Sequence, residues 1–429
     1  MSQYKNLSLS ELEKIYGNLK NEYNSYKEKN LSLDMSRGKP SPKQLSLSDE
    51  MLKVVISSKD YMGEKGVDYR NYGVLDGIDA AKNLFSKILE VKPSEVIVGN
   101  NSSLNMMYDT VMRCLLFGSG EGKTPWIKQG KIKFLCPSPG YDRHFAVCEH
   151  FGIEMINIPM DENGPDMNMV KKYVEQDDSI KGIWCVPKYS NPTGITYSDE
   201  VVREFANLNP KADDFRIFWD NAYAVHHLYE DEDKLLNLKE LLETNNKDDM
   251  IFIFGSTSKI THSGSGIAAF ASSERNVKFM KKLLSIQTIG SDKLNQLRHT
   301  KFLSSYEELK KHMKKHAEII RPKFEKVLEI LDRELKGLDI AEYTRPKGGY
   351  FISFDTLEGC AKRTVQLCRE CGVTLTGAGA TFPYGKDPLD KNIRIAPTYP
   401  PIEELEEAME IFVISLKLAT FEKLMKDRA

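Results

Sequence analysis

With 429 residues, the chain is too long for one compact core and suits two domains, or one large and one small. Its 41% hydrophobic and 28% charged residues are ordinary for a globular protein and exclude a disordered chain. The 62 acidic residues nearly cancel the 60 basic ones, so the formal charge of -2 argues against nucleic-acid binding, and no apolar run reaches membrane-spanning length.

Residues 10–29 read as an amphipathic helix, with Leu12, Ile15, Leu19 and Tyr23 along one stripe. This N-terminus lacks the apolar core of a signal peptide, so the cytoplasm is the expected location. The segment Arg37-Gly38-Lys39-Pro40-Ser41-Pro42 must be extended or turned. From about residue 75 to 275, short apolar strands alternate with helical stretches. The strand candidates are Val96 to Val98, Ile132 to Cys136, Glu154 to Ile158, Gly182 to Val186, Arg216 to Trp219, Ile251 to Phe254 and Ile267 to Ala271. Several are continuous apolar runs, the pattern of a mostly parallel sheet covered on both faces by helices.

Residues 304–337 form a long helical pattern with Leu309, Met313, Ile320, Phe324, Leu328 and Leu331 on one face, and Pro322 is expected to bend it. The block Lys310-Lys311-His312-Met313-Lys314-Lys315 suits the solvated face of a helix. Tyr350 to Phe354 and Ile393 to Ala396 are strand-like, with helices between and after them. The expected fold is therefore α/β: a large domain with a mostly parallel seven-stranded sheet, plus a smaller α+β domain. The expected boundaries are 1–70 for an N-terminal helix and extended segment joining the small domain, 71–305 for the large domain, and 306–429 for the connecting helix and small domain.

Seven cysteines, an odd number scattered along the chain, fit reduced thiols. Cys368-Arg369-Glu370-Cys371 lacks a second cysteine pair, which weighs against zinc or redox chemistry. His312 and His316 stand four apart, without the glutamate or third ligand of a metal site. No metal is expected.

Three segments stand at the carboxyl ends of predicted strands, where open α/β sheets bind ligands. They are Asn191-Pro192-Thr193-Gly194, Asp220-Asn221-Ala222-Tyr223 and Ser256-Thr257-Ser258-Lys259. Each has a plainer reading: a turn, a helix cap with a core tyrosine, and a surface lysine. Together they offer an amide, a carboxylate, a phenol and an amine to one cavity. A carboxylate after the buried run Arg216-Ile217-Phe218-Trp219 is costly unless paired, and a protonated pyridine nitrogen would pair it. A desolvated lysine can form a Schiff base.

On these segments the chain resembles the fold-type I, pyridoxal-phosphate-dependent aminotransferases of class I/II. More narrowly, Arg37 to Pro42, Val186 to Asn191 and Ile289 to His299 resemble the aspartate aminotransferase subgroup related to MocR-type proteins. The resemblance covers nearly the whole chain and implies residue roles. Lys259 would carry the cofactor and shuttle the proton, and Asp220 would pair the ring nitrogen. Tyr223 and Asn191 would bind the ring 3-oxygen. Tyr141 would stack on the ring, with His144 supporting Asp220. Asn101, Ser102 and Ser103 at a helix start, with Ser256, would bind the phosphate. Arg394 would clamp the substrate α-carboxylate, against the backbone of Gly38. Tyr72 would reach the phosphate in a partner subunit, which implies a homodimer.

One position departs from the family pattern: eight residues after Lys259, where most relatives carry arginine, stands Ile267. Small residues at Ser263 to Gly266 leave backbone amides, and Ser265, to take part of that work. The implied reaction is ping-pong transamination between an amino acid, aspartate or glutamate, and a 2-oxo acid. Arg37, Lys39, Lys293 and Arg298 are candidates for a second substrate carboxylate. The alternatives are alanine or aromatic transamination, a β-lyase, or the effector module of a regulator. The last would need a DNA-binding domain, for which the seventy residues before Tyr72 leave no helix-turn-helix.

Overall fold

A computed structural model describes residues 4, 7–55, 57, 59–63 and 66–428; the rest of the predicted N-terminal segment, and Ala429, lie outside the described residues. The chain opens with the helix Leu9–Glu28. Ser8 and Glu11 cap it reciprocally, each side chain accepting from the other's backbone N–H. Its Leu12 and Tyr23 are buried, and the Tyr23 hydroxyl donates to Leu367 O at 2.9 Å.

Thirteen strands follow among the described residues: β1 (Leu33–Asp34), β2 (Val96–Val98), β3 (Lys133–Ser138), β4 (Glu154–Asp161), β5 (Gly164–Pro165), β6 (Ile180–Cys185), β7 (Arg216–Asp220), β8 (Ile251–Ser256), β9 (Ala268–Ala271), β10 (Ala341–Tyr343), β11 (Ile352–Thr356), β12 (Val373–Thr374) and β13 (Asn392–Ile395). Eight of them make one sheet in the order β2-β9-β8-β7-β6-β3-β4-β5. β8, β7, β6, β3 and β4 run parallel, while β9 is antiparallel to both its neighbours. The seven strands expected from the sequence are all present. β5 adds a two-residue eighth, too short to carry a periodic signal.

The central strands carry long apolar runs because both faces are covered. Along β7, Ile217 and Trp219 join the cluster under the helices Asp79–Leu89 and Asp199–Asn207. Phe218 points the other way, onto Phe134, Phe252 and Phe254 beneath the helices Ser103–Phe117 and Asp142–Phe151. Burying each such ring contributes about 1.5–3 kcal/mol by removing apolar surface from water. The same alternation puts Asp220, two residues after Phe218, on the side of the helix Asp142–Phe151.

A second, antiparallel sheet runs β10-β11-β13. It packs with the helix Tyr306–Leu335 and the C-terminal helix Ile402–Lys426 through Ile320, Phe324, Leu331, Phe354 and Phe412. The long helix runs on through Pro322. On it Lys310, Lys311, Lys314 and Lys315 are exposed, whereas His312 and Met313 are buried. β1 pairs in parallel with β12, tying the N-terminal segment to this body. Cys368 and Cys371 are free and buried, and burial pushes the Cys368 thiol up to about 12. Among the described residues no helix is long and apolar enough to cross a membrane.

Candidate active site

Asp220 is the last residue of β7, paired in register with Phe254 of β8. Its carboxylate is buried, and one oxygen is held: His144 donates from Nε2 to Asp220 Oδ2 at 3.0 Å. His144 is itself fixed, its ring stacked on Trp184 at 4.3 Å and met edge-on by Tyr141 at 4.9 Å. The other oxygen, Oδ1, is buried without a hydrogen-bond partner. A buried acceptor left in that condition costs about 1–3 kcal/mol, more for a charged group. A protonated ring nitrogen is the kind of group that would satisfy it.

Lys259 lies three residues beyond β8, in a turn whose backbone the protein grips. Its Nζ sits 4.5 Å from the Tyr223 ring centre and 5.7 Å from that of Tyr350. The side chain keeps some surface open to the cleft, yet desolvation lowers its pKa from the ordinary lysine value, with Tyr141 and Asp220 pulling the other way. An amine shifted in that direction is closer to a usable nucleophile and base. Burial pushes the phenols up, Tyr141 to about 12 and Tyr223 further, so both stay protonated donors.

Behind Lys259 lies a polar knot of which the sequence reading singled out only the pair His312 and His316. Gln44 donates from Nε2 to the Tyr350 hydroxyl at 2.9 Å and reaches His316 Nδ1 at 3.3 Å. The Tyr350 hydroxyl in turn donates to Lys259 O at 3.5 Å. His312 donates to Ile260 O at 2.7 Å and touches His316 at 3.1 Å. His226 packs edge-on against Tyr223 and Tyr350, with both ring nitrogens buried and unpartnered. Burial lowers the pKa of His312, and lowers that of His316 to about 3, so both rest neutral. His226 stands three residues after Tyr223 and was within reach of sequence reasoning. Gln44 carried no signal, because its partners are hundreds of residues away.

Arg394 comes from β13 and is only 7% exposed. Its Nη1 donates to Asp142 Oδ1 at 2.9 Å and to Asn191 Oδ1 at 3.2 Å, and its Nη2 donates to Thr376 Oγ1 at 3.1 Å. The guanidinium lies over the Phe351 ring at 4.8 Å, and its Nε is buried without a partner. Gly38 backs the same ring: a Cβ there would stand 2.3 Å from Phe351 Cζ, so no larger residue fits. Asn191 belongs to a tight turn, with Gly194 N–H donating to Ser190 O at 2.6 Å, so the turn reading and the site reading coincide. Asp220 caps no helix, since the residues after it form turns.

The expected phosphate pocket lies where the helix Ser103–Phe117 begins. Ser102 stands at its cap position without using its side chain there, leaving the first amides open. Ser258, part of the lysine motif but given no role there, donates to Asn101 O at 3.3 Å, and Ser256 donates to Ser258 at 3.1 Å. A Cβ on Gly266 would come within 3.1 Å of Thr257 Oγ1 and 3.2 Å of Asn101 O, so the two loops close around this point. Asn295 fixes the glycine loop from outside, donating to Ser265 O at 2.9 Å and Gly266 O at 3.0 Å. Ile267 itself is buried, its N–H donating to Thr257 Oγ1 at 3.0 Å. The residues present therefore fit the implied cofactor: an orphaned carboxylate oxygen, protonated phenols, a desolvated amine and a small-residue anion cradle.

Not every candidate joins this constellation. Tyr72 is 81% exposed, and no hydrogen bond or ring contact ties its side chain to the others. Lys293 is buried and donates to Gly73 O at 3.0 Å, holding the loop after Tyr72. Lys39 rests over the Tyr399 ring at 3.9 Å, Arg37 is exposed and Arg298 is half-buried.

Residues 7–428 match the aspartate amino-transferase family. The aspartate aminotransferase of Corynebacterium glutamicum is 42% identical over 408 residues, which span 95% of this chain and 94% of that protein. The crystal structure of an aspartate transaminase from Corynebacterium glutamicum superposes with a TM-score of 0.95 at 41% identity, covering 99% of each chain. The α-aminoadipate aminotransferase LysN of Thermus thermophilus, solved with N-(5′-phosphopyridoxyl)-L-leucine, shares the fold at 20% identity, with a TM-score of 0.72 over 91% of this chain and 93% of that one. This chain belongs to the aspartate amino-transferase family and is a pyridoxal-phosphate-dependent aminotransferase of fold type I.

Proposed function

We propose that the protein moves an amino group between aspartate or glutamate and a 2-oxo acid, in two half-reactions at the one site. When bound, the cofactor's ring supplies a sink for the electron pair left as the substrate Cα–H bond breaks. Lys259 Nζ takes the α-proton and later returns one, the task for which its lowered pKa suits it. Asp220 Oδ1, aligned by His144, holds a proton on the ring nitrogen, and Tyr223 and Asn191 hydrogen-bond the ring oxygen. Tyr141 covers the ring. Asn101, Ser102, Ser103, Ser256 and Ser258 hold the phosphate. Arg394 binds the α-carboxylate from above Phe351 and Gly38.

The observation that carries this reading is the unpartnered Asp220 oxygen in the same electrostatic neighbourhood as Lys259 and Arg394. Titrating the protein with a panel of amino acids while following the cofactor's visible absorbance tests it. Aspartate and glutamate should bleach the band, and 2-oxoglutarate should restore it. Bleaching by alanine or aromatic amino acids with none by aspartate would overturn the substrate assignment.

The proposed division of the chain is 71–305 and 306–429, with 1–70 joining the latter; Tyr23, Leu33 and Met35 pack in the cluster of the second sheet, whereas Val55, Tyr61 and Tyr69 pack against that of the large sheet. Two copies are proposed to associate through the surface around Tyr72. Ile286 and Ile289, 89% and 60% exposed, belong to the neighbouring segment, where Gly290 lies against Gly73 O. Sedimentation of the holoenzyme should give the mass of a pair, and a single-chain mass at micromolar concentration would remove that proposal. Seven free, buried thiols support a reducing compartment such as the cytoplasm.

A further inference from the structure

Arg394 is the buried guanidinium of the site, and it is already engaged. Among the described residues, Asp142 is the carboxylate paired with it, through a single contact from Nη1 at 2.9 Å. A carboxylate that fits an arginine best takes two parallel N–H bonds. Asp142 takes one, and Arg394 Nε is left buried and unpartnered. The pair is thus a workable but incomplete match, with a donor in reserve.

Asp142 is also placed so that it can let go. It is the first residue of the helix Asp142–Phe151, and its side chain is 33% exposed against 7% for Arg394. Freed from the arginine, its charge would face open amides at the start of that helix, and water. Arg394 has no such exit, since Phe351, Thr376 and Asn191 enclose it.

We propose that Asp142 is an internal stand-in for the substrate's carboxylate. It holds Arg394 while the cleft is empty and yields it when a carboxylate arrives, so it sets how tightly substrates bind and not how fast they react. The proposal rests on the reading of Arg394 as the carboxylate clamp. Asp142 is a positioning residue in it, acting only through Arg394. A resident competitor lowers apparent affinity in proportion to the fraction of time it holds the site. It also leaves a like charge beside the bound substrate.

Asp142→Asn keeps the acceptor oxygen toward Nη1 and removes the charge. The expected result is that KM for aspartate and for 2-oxoglutarate falls about three- to tenfold, with kcat moving less than about twofold. The dissociation constant of the unreactive dicarboxylate maleate should fall by the same factor. Asp142→Ser, which keeps a helix-start hydroxyl, should move KM in the same direction. Both variants are to be read on protein that retains the visible absorbance of the loaded enzyme. KM or maleate affinity unchanged, or weakened, in both variants would overturn the proposal. Arg394→Lys, measured in parallel, separates the two readings. If it raises KM while the Asp142 variants change nothing, only the stand-in falls. If it leaves KM and maleate binding untouched, the clamp reading falls, and the stand-in with it.

Discussion

Replacing Lys259 with alanine is expected to reduce kcat/KM by a factor on the order of 10⁴ or more, while the protein still folds and takes up its cofactor. Removing a proton-transferring group typically costs 10²–10⁴, and this residue is also the proposed covalent anchor, so two losses fall on one substitution. Stability should change little. Lys259 is not part of the packed core, and the knot of Tyr350, Gln44 and His312 grips the backbone oxygens of Lys259 and Ile260, which alanine retains. Aspartate should no longer bleach the visible absorbance, because no amine remains to take the α-proton. Bleaching and turnover at the wild-type rate would remove Lys259 from the chemistry and dissolve the site as described.

The second large effect is expected at Asp220. Asp220→Ala removes the buried carboxylate and should lower kcat by about 10²–10³, the usual scale for deleting one preorganised electrostatic partner of a developing charge. Asp220→Asn is the sharper comparison, because it keeps shape and the contact to His144 but cannot hold a proton on a ring nitrogen. It should lose nearly as much as the alanine variant. His144→Asn should lose far less, since it disturbs only the alignment of Oδ2. If Asp220→Asn retained wild-type kcat, the pairing of Oδ1 with a protonated nitrogen would be wrong, and the orphaned oxygen would need another partner.

Much of this arrangement was legible in the residues, and the reason is geometric. Parallel strands bury both faces, so runs such as Ile251–Phe254 stand out as continuous apolar stretches, and the side chains just past their carboxyl ends converge. Asn191, Asp220 and Lys259 are found that way. What escaped detection lies across long sequence separations or on short elements. Gln44 acts on Tyr350 from 306 residues away. Asp142 looks like an ordinary acidic residue at a helix start until Arg394, 252 residues later, is seen to reach it. β5 has only two residues, and β10 only three. Lys293, weighed for a second carboxylate, shows what charge alone leaves out. It is buried and its Nζ donates to Gly73 O, a contact 220 residues away that the sequence does not display.

The glycine loop after Lys259 has a bearing on protein engineering. A designer working from the family resemblance would read Ile267 as a defect and put in the arginine that the resemblance implies there. In this backbone the position points into the core, between Thr257 and the start of β9, and the N–H of residue 267 is already committed. A guanidinium introduced there would have to displace the packed isoleucine and give up water before it met a counter-charge. On the proposed reading, closely spaced backbone around Gly266 takes part of the work that a charged side chain does in the commoner pattern. An arginine at position 267 alone would therefore have to displace packed core before it could reach that anion.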